Sequence, residues 1–123
     1  MLTRMSIAAV VVVLCVSYAV AEERLGIAVY PGATYDQTMT TVLKRTPSIE
    51  GAAYRTNASM DEVTEFYRKQ GLLLLRFGEP TKERARFKQT DTGVDVIVQN
   101  PWKDPRTGAP MKGTLIMIIQ NQE

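Results

Sequence analysis

Histidine is absent from this chain, and cysteine and tryptophan each occur once. Without histidine, the commonest general base, the commonest zinc ligand and the usual physiological pH switch are all missing. The one cysteine, Cys15, lies inside an apolar N-terminal run, so the domain beyond it has no disulfide and no thiol chemistry. Charge of either sign is not in excess. There are 15 basic and 13 acidic residues, a formal net charge of +2, too little to steer the chain toward nucleic acid. No motif for a cofactor or a metal is present, and none is expected to bind.

Long hydrophobic runs are also lacking. The longest, Ile7 to Tyr18, is about a dozen residues, well short of the roughly 20 that a spanning helix needs. It follows the single positive charge of Arg4 and precedes Ala19-Val20-Ala21, whose small residues suit a signal peptidase. We therefore expect residues 1–21 to be a signal peptide cleaved between Ala21 and Glu22. The product is a periplasmic or secreted protein with no transmembrane span. A lipid anchor on Cys15 fits less well, because Leu14 precedes it where a small residue is needed. An uncleaved N-terminal anchor is the remaining alternative. Residues 22–123 are enough for one domain. Without Arg4, 14 basic residues face 13 acidic ones.

Along that domain, Gly26 to Tyr30 reads as a short strand and Tyr30-Pro31-Gly32-Ala33 as a type II turn. Thr34 and Gln37 have capping-box spacing, which predicts a helix from Tyr35 to about Lys44 with Met39, Val42 and Leu43 on one face. The run Thr38, Thr40, Thr41 works against it. Ala52–Thr56 reads as a strand. Ser59 and Glu62 form a second capping box, ahead of a helix carrying Met60, Val63, Phe66 and Tyr67 and capped by Gly71.

Leu72–Phe77 is predicted as a buried strand. Arg84–Thr90 alternates, with Ala85 and Phe87 opposite Arg84, Arg86 and Lys88. Asp91-Thr92-Gly93 is a turn; its likeness to the aspartic-protease signature fails on its flanking residues. Val94, Val96 and Val98 share one strand face. A proline-rich loop is expected from Pro101 to about Gly113, and Thr114–Gln120, apolar on both faces, reads as a central strand. The fold class is α+β, an antiparallel sheet of about five strands with two helices packed on one face.

Four local patterns occur in order: Tyr30-Pro31-Gly32-Ala33, Ala53-Tyr54-Arg55-Thr56, the helix end Phe66-Tyr67-Arg68-Lys69-Gln70, and Gln99-Asn100-Pro101-Trp102. Together they resemble a group of small exported bacterial proteins of unknown function. Those proteins share a Tyr-Pro-Gly-Ala start, a Phe-Tyr helix and an Asn-Pro-Trp element. The resemblance implies a bacterial envelope protein and brings no activity or catalytic residues.

Two groups of residues are candidates for ligand or partner binding. The first is the 100–113 loop, with Trp102, Lys103, Asp104 and Arg106; long connections of this kind are often functional. Its tryptophan either presents itself to a sugar, peptide or protein or plugs the core. The second is the basic strand face of Arg84, Arg86 and Lys88, beside Lys82, which suits anionic envelope components or simply protects a strand edge. Asp61, Glu65 and Lys69 read as a solvated helix stripe, and Asp91 with Asp95 as an incomplete calcium set. Asn57-Ala58-Ser59 is a sequon that we read as loop and cap. These readings predict a non-catalytic binding or accessory module whose partner is an envelope protein or polymer. Two alternatives remain: a self-associating structural protein, as a homodimer through an uncovered sheet face, and a carboxylate-based enzyme acting on envelope polymers.

Overall fold

The computed structural model describes residues 22–75 and 83–122. Residues 1–21, expected to be a signal peptide and including Cys15 and Ala21, and the stretch holding Arg76, Phe77 and Lys82, lie outside the described residues. The elements in order are β1 (Glu23–Arg24), β2 (Ile27–Ala28), β3 (Thr34–Tyr35), α1 (Gln37–Leu43), β4 (Ile49–Thr56), α2 (Met60–Lys69), β5 (Leu73–Leu74), β6 (Arg84–Lys88), β7 (Asp95–Gln99), β8 (Trp102–Lys103), β9 (Pro110–Met111) and β10 (Thr114–Asn121). The fold is α+β. Its main sheet has six strands in the order β3-β4-β10-β7-β6-β5, every pairing antiparallel. Two short ribbons, β1–β2 and β8–β9, stand outside it. The expected strand count of about five was therefore low.

β10 is central, as its sequence implies. It pairs along eight residues with β4 and along five with β7. Its alternation feeds two cores. Ile116 and Ile118 join Ala52, Tyr54, Phe87, Val96 and Val98 under α2, whose Val63 and Tyr67 are fully buried. Leu115 and Met117 face the other way, with Ala53 and Ile97, under Met39 and Leu43 of α1. The helices thus cover opposite faces, which corrects the expectation of two helices on one face. The physical reason is in β10 itself. With apolar residues on both sides, burial on one face alone leaves the other in water, at roughly 25 cal/mol per Å² of apolar surface.

α1 also starts differently from its sequence reading. Thr34 and Tyr35 are drawn into β3 opposite Arg55 and Tyr54. Asp36 takes the cap, its Oδ1 accepting from the Met39 N–H at 2.8 Å. The threonines have a use that propensity does not foresee. Thr40 is buried, and its Oγ1 accepts the Ala53 N–H at 2.9 Å, while the Ala53 carbonyl accepts from the Asp36 N–H. One turn of helix thereby satisfies the edge of β4 where β3 stops.

α2 carries the full capping box. The Glu62 N–H donates to Ser59 Oγ at 3.1 Å, and the Ser59 N–H donates to Glu62 Oε1 at 3.0 Å. Gly71, at φ +81°, ends the helix. The Tyr67 hydroxyl, buried under α2, donates to the Ala28 carbonyl at 2.9 Å and accepts the Tyr30 N–H at 3.1 Å. It clips the N-terminal ribbon to the helix. The Tyr-Pro-Gly-Ala turn closes as expected, with the Ala33 N–H on the Tyr30 carbonyl and Gly32 at φ +84°. The described part of Leu72–Phe77 is not a buried strand. β5 is a two-residue strand on the outer side of β6, with Leu73 52% exposed.

The capping box sets a pH test. The two Ser59 bonds, first from its N–H and then from its hydroxyl, hold the Glu62 carboxyl below its ordinary value of 4.5. A depressed folded-state value means that the stabilisation is present above 4.5 and is lost as pH falls through the lower, folded value. Ser59→Ala should cost about 1 kcal/mol at neutral pH. Urea unfolding of the unchanged protein and of Glu62→Ala, which removes the carboxylate from both bonds, should show a stability gap that narrows under acid conditions; a gap constant with pH would detach Glu62 from the cap.

Candidate functional site

The 100–113 segment is ordered as a β-hairpin. Trp102 pairs with Met111 and Lys103 with Pro110. The tip closes on Asp104, whose N–H donates to the Ala109 carbonyl and whose own carbonyl accepts from Gly108. Its carboxylate accepts from the Arg106 backbone N–H at 2.8 Å and from Arg106 Nη2 at 3.1 Å. Those bonds hold the Asp104 carboxyl below the usual carboxylate range and raise the Arg106 guanidinium. The long structureless loop expected from the prolines is instead built around one Asx turn.

Trp102 does not face solvent. It is 3% exposed and packs with Ile97, Leu115, Met117 and Met111 in the core under α1. Its Nε1–H has no hydrogen-bond partner among the described residues. Leaving that donor unpaired costs about 1–3 kcal/mol. Burying an indole removes 150–250 Å², about 4–6 kcal/mol at 25 cal/mol per Å². Packing wins, and Trp102 is the peg that seats the hairpin on the sheet. Gly113 fixes the hairpin's base. It sits at φ +81°, and a Cβ there would lie 2.1 Å from the Thr56 carbonyl oxygen. The base is also tied through Thr114, whose hydroxyl donates to the Ala58 carbonyl at 2.7 Å and accepts from Asn100 Nδ2 at 3.0 Å.

Lys103 and Lys112 are exposed on the seated hairpin, as is Arg106. Where the hairpin returns to the sheet, a shallow cleft of about 120 Å³ opens, lined by Gly32, Thr34, Arg55, Thr56, Asn57 and Lys112. The sequence reading missed Arg55 and Lys112 as a pair, because 57 residues separate them and nothing local joins them. Arg55 is placed by Asp36, the α1 cap, whose Oδ2 lies 3.3 Å from Arg55 Nε. Arg106 also lies in the field of Asp36. The cap and the cleft are therefore joined through Arg55.

The basic strand has another arrangement. Arg84 and Arg86 are exposed on the α1 side of the sheet, on β6, with Ala85 and Phe87 buried behind them. Arg86 forms a hydrogen-bonded ion pair with Asp95, a buried carboxylate on β7, and Lys88 Nζ lies 3.8 Å from the same group. Arg84 also has a partner. Only Arg84 lies at the hairpin end of the sheet, opposite Gln99; Arg86 and Lys88 run away from it. Asp95 is thus an internal counter-ion, not half of a calcium pair with Asp91. On α2, Glu65 pairs with Arg68 at 3.8 Å instead of Lys69. Glu22, the residue after the expected cleavage point, accepts from the Tyr54 hydroxyl at 3.3 Å.

Comparison with family models, with curated proteins and with solved structures found no match to this chain.

The single tryptophan reports on the hairpin directly. Its fluorescence should be blue-shifted and shielded from a soluble quencher. Trp102→Phe, which keeps an aromatic ring and removes the orphan donor, should change stability by less than about 1 kcal/mol, whereas Trp102→Ala should cost about 3–5 kcal/mol. Red-shifted, readily quenched emission would unseat the hairpin from the core.

Proposed function

We propose that this protein is an exported, non-catalytic accessory module of the bacterial envelope, and that the surface it offers is the outer side of the 100–113 hairpin with the adjoining cleft. One observation carries this reading. The hairpin is pegged at Trp102 and Gly113 while Lys103, Arg106 and Lys112 stay exposed, and Lys112 lines the cleft with Arg55. A rigid polar surface held by a buried anchor loses little conformational entropy on binding. The N-terminal signal pattern and the resemblance to small exported bacterial proteins support the location. The lack of histidine, with the only cysteine at position 15, supports a role in binding over catalysis.

Leu115 and Met117 are covered by α1 and the hairpin, and Ile116 and Ile118 lie in the core beneath α2. A homodimer would therefore pair through a surface other than these residues of β10.

Photo-crosslinking in intact, exporting bacteria tests the proposal. A crosslinker at Lys103 or Arg106 should capture a discrete envelope component, and one at Asp61 or Glu65 on the outer face of α2 should not. Equal capture from both surfaces, or none from the hairpin, would overturn it.

A further inference from the structure

The cleft beside the hairpin has a charge and a size that suit one ligand chemistry. No acid is among its lining residues. Asp36 Oδ2 lies 3.3 Å from Arg55 Nε, and the terminal guanidinium nitrogens have no hydrogen-bond partner among the described residues, on a side chain that is 50% exposed. Lys112 is exposed and forms no ion pair among the described residues, and the Asn57 side chain makes no hydrogen bond there. We propose that this cleft binds a carboxylate flanked by hydroxyl or amide groups, the acidic end or side group of a larger envelope molecule. The inference rests on the reading that the hairpin side is the surface the protein offers.

Three features select that ligand. Arg55 and Lys112 with Asp36 leave one net positive charge, which balances a monoanion and leaves a dianion half neutralised. The guanidinium presents a planar pair of donors that matches a carboxylate, and the ammonium adds a movable point charge. Thr34, Thr56 and Asn57 supply neutral hydroxyl and amide groups for whatever adjoins the carboxylate. The cleft offers about 120 Å³ and is open to solvent on one side. That volume holds a carboxylate and the few atoms next to it, with the rest of the ligand lying outside along the hairpin.

Two sources share this chemistry, an acidic sugar and a peptide end. An NMR titration of the purified protein at fixed ionic strength separates them, using galacturonate, N-acetylglycine, neutral galactose and inorganic phosphate. Galacturonate or N-acetylglycine should move the amides of Thr34, Arg55, Asn57 and Lys112, and galactose should not; the tighter of the two names the source. Lys112→Gln, which breaks no internal contact, should weaken binding about tenfold, the effect of losing one charge-assisted hydrogen bond. Lys69→Gln, on the outer face of α2, should leave it unchanged. The inference fails if neither carboxylate moves these amides, if galactose moves them equally, if phosphate binds more tightly than either carboxylate, or if Lys112→Gln has no effect. Hairpin crosslinks without carboxylate binding would end this inference and leave the accessory-module reading standing. Carboxylate binding without crosslinks would do the reverse.

Discussion

A central strand that is apolar on both faces has to be covered twice. β10 sets that condition, and most of the architecture is a response to it. One face is closed by a ten-residue helix, α2, with a full capping box. The other is closed by a seven-residue helix, α1, which is too short to cover the strand alone. The remainder falls to Trp102 and Met111 on the hairpin. The hairpin is therefore part of the core as well as part of the surface, and its buried side makes its exposed side rigid.

The same economy links structure to the candidate site. Asp36 caps α1, bonds the edge of β4 through its own N–H, and holds Arg55 by its carboxylate. Thr40 completes the edge of β4 from one turn further on. An edge strand with unpaired backbone groups is a liability. Resolving it with a helix cap places a negative group beside a cation at the mouth of the cleft. Arg55 is thereby kept from folding freely over the sheet while its outer nitrogens stay available.

Strong local signals made part of this legible in the residues. The Ser59–Glu62 box, the alternation of Ala85 and Phe87 with the basic residues, the Val94-Val96-Val98 face and the two-faced Thr114–Gln120 run each became the expected element. Where a local rule met a tertiary demand, the demand won. Thr34 had capping-box spacing, but pairing with Arg55 drew it into β3 and passed the cap to Asp36. The threonine run weakened the case for a helix, yet Thr40 is there because a hydroxyl was needed against β4. Three prolines suggested an irregular loop, and the Asp104 turn with the Trp102–Met111 pair made a hairpin. The cleft had no local signal at all, since Arg55 and Lys112 meet only through the fold.

Charge count and charge availability also diverge. Arg84, Arg86 and Lys88 form the densest basic stretch of the described chain, and a reading by density alone puts the anion site there. Yet Asp95 lies across the strand from Lys88 in the β6–β7 register and engages both Arg86 and Lys88. A carboxylate that is only about one-tenth exposed needs such partners, because an unpaired buried charge is far costlier than a paired one. An external anion at this strand would compete with an internal one that the fold requires. At the cleft the balance runs the other way. Asp36 already has the Met39 N–H as well as Arg55, and Lys112 has no internal acid among the described residues. An anion arriving there meets one cation, Lys112, with no internal acid among the described residues, and a second, Arg55, that Asp36 approaches on its Nε edge only. Availability of that kind, more than local charge density, marks the cleft as the place where this protein can recognise something else.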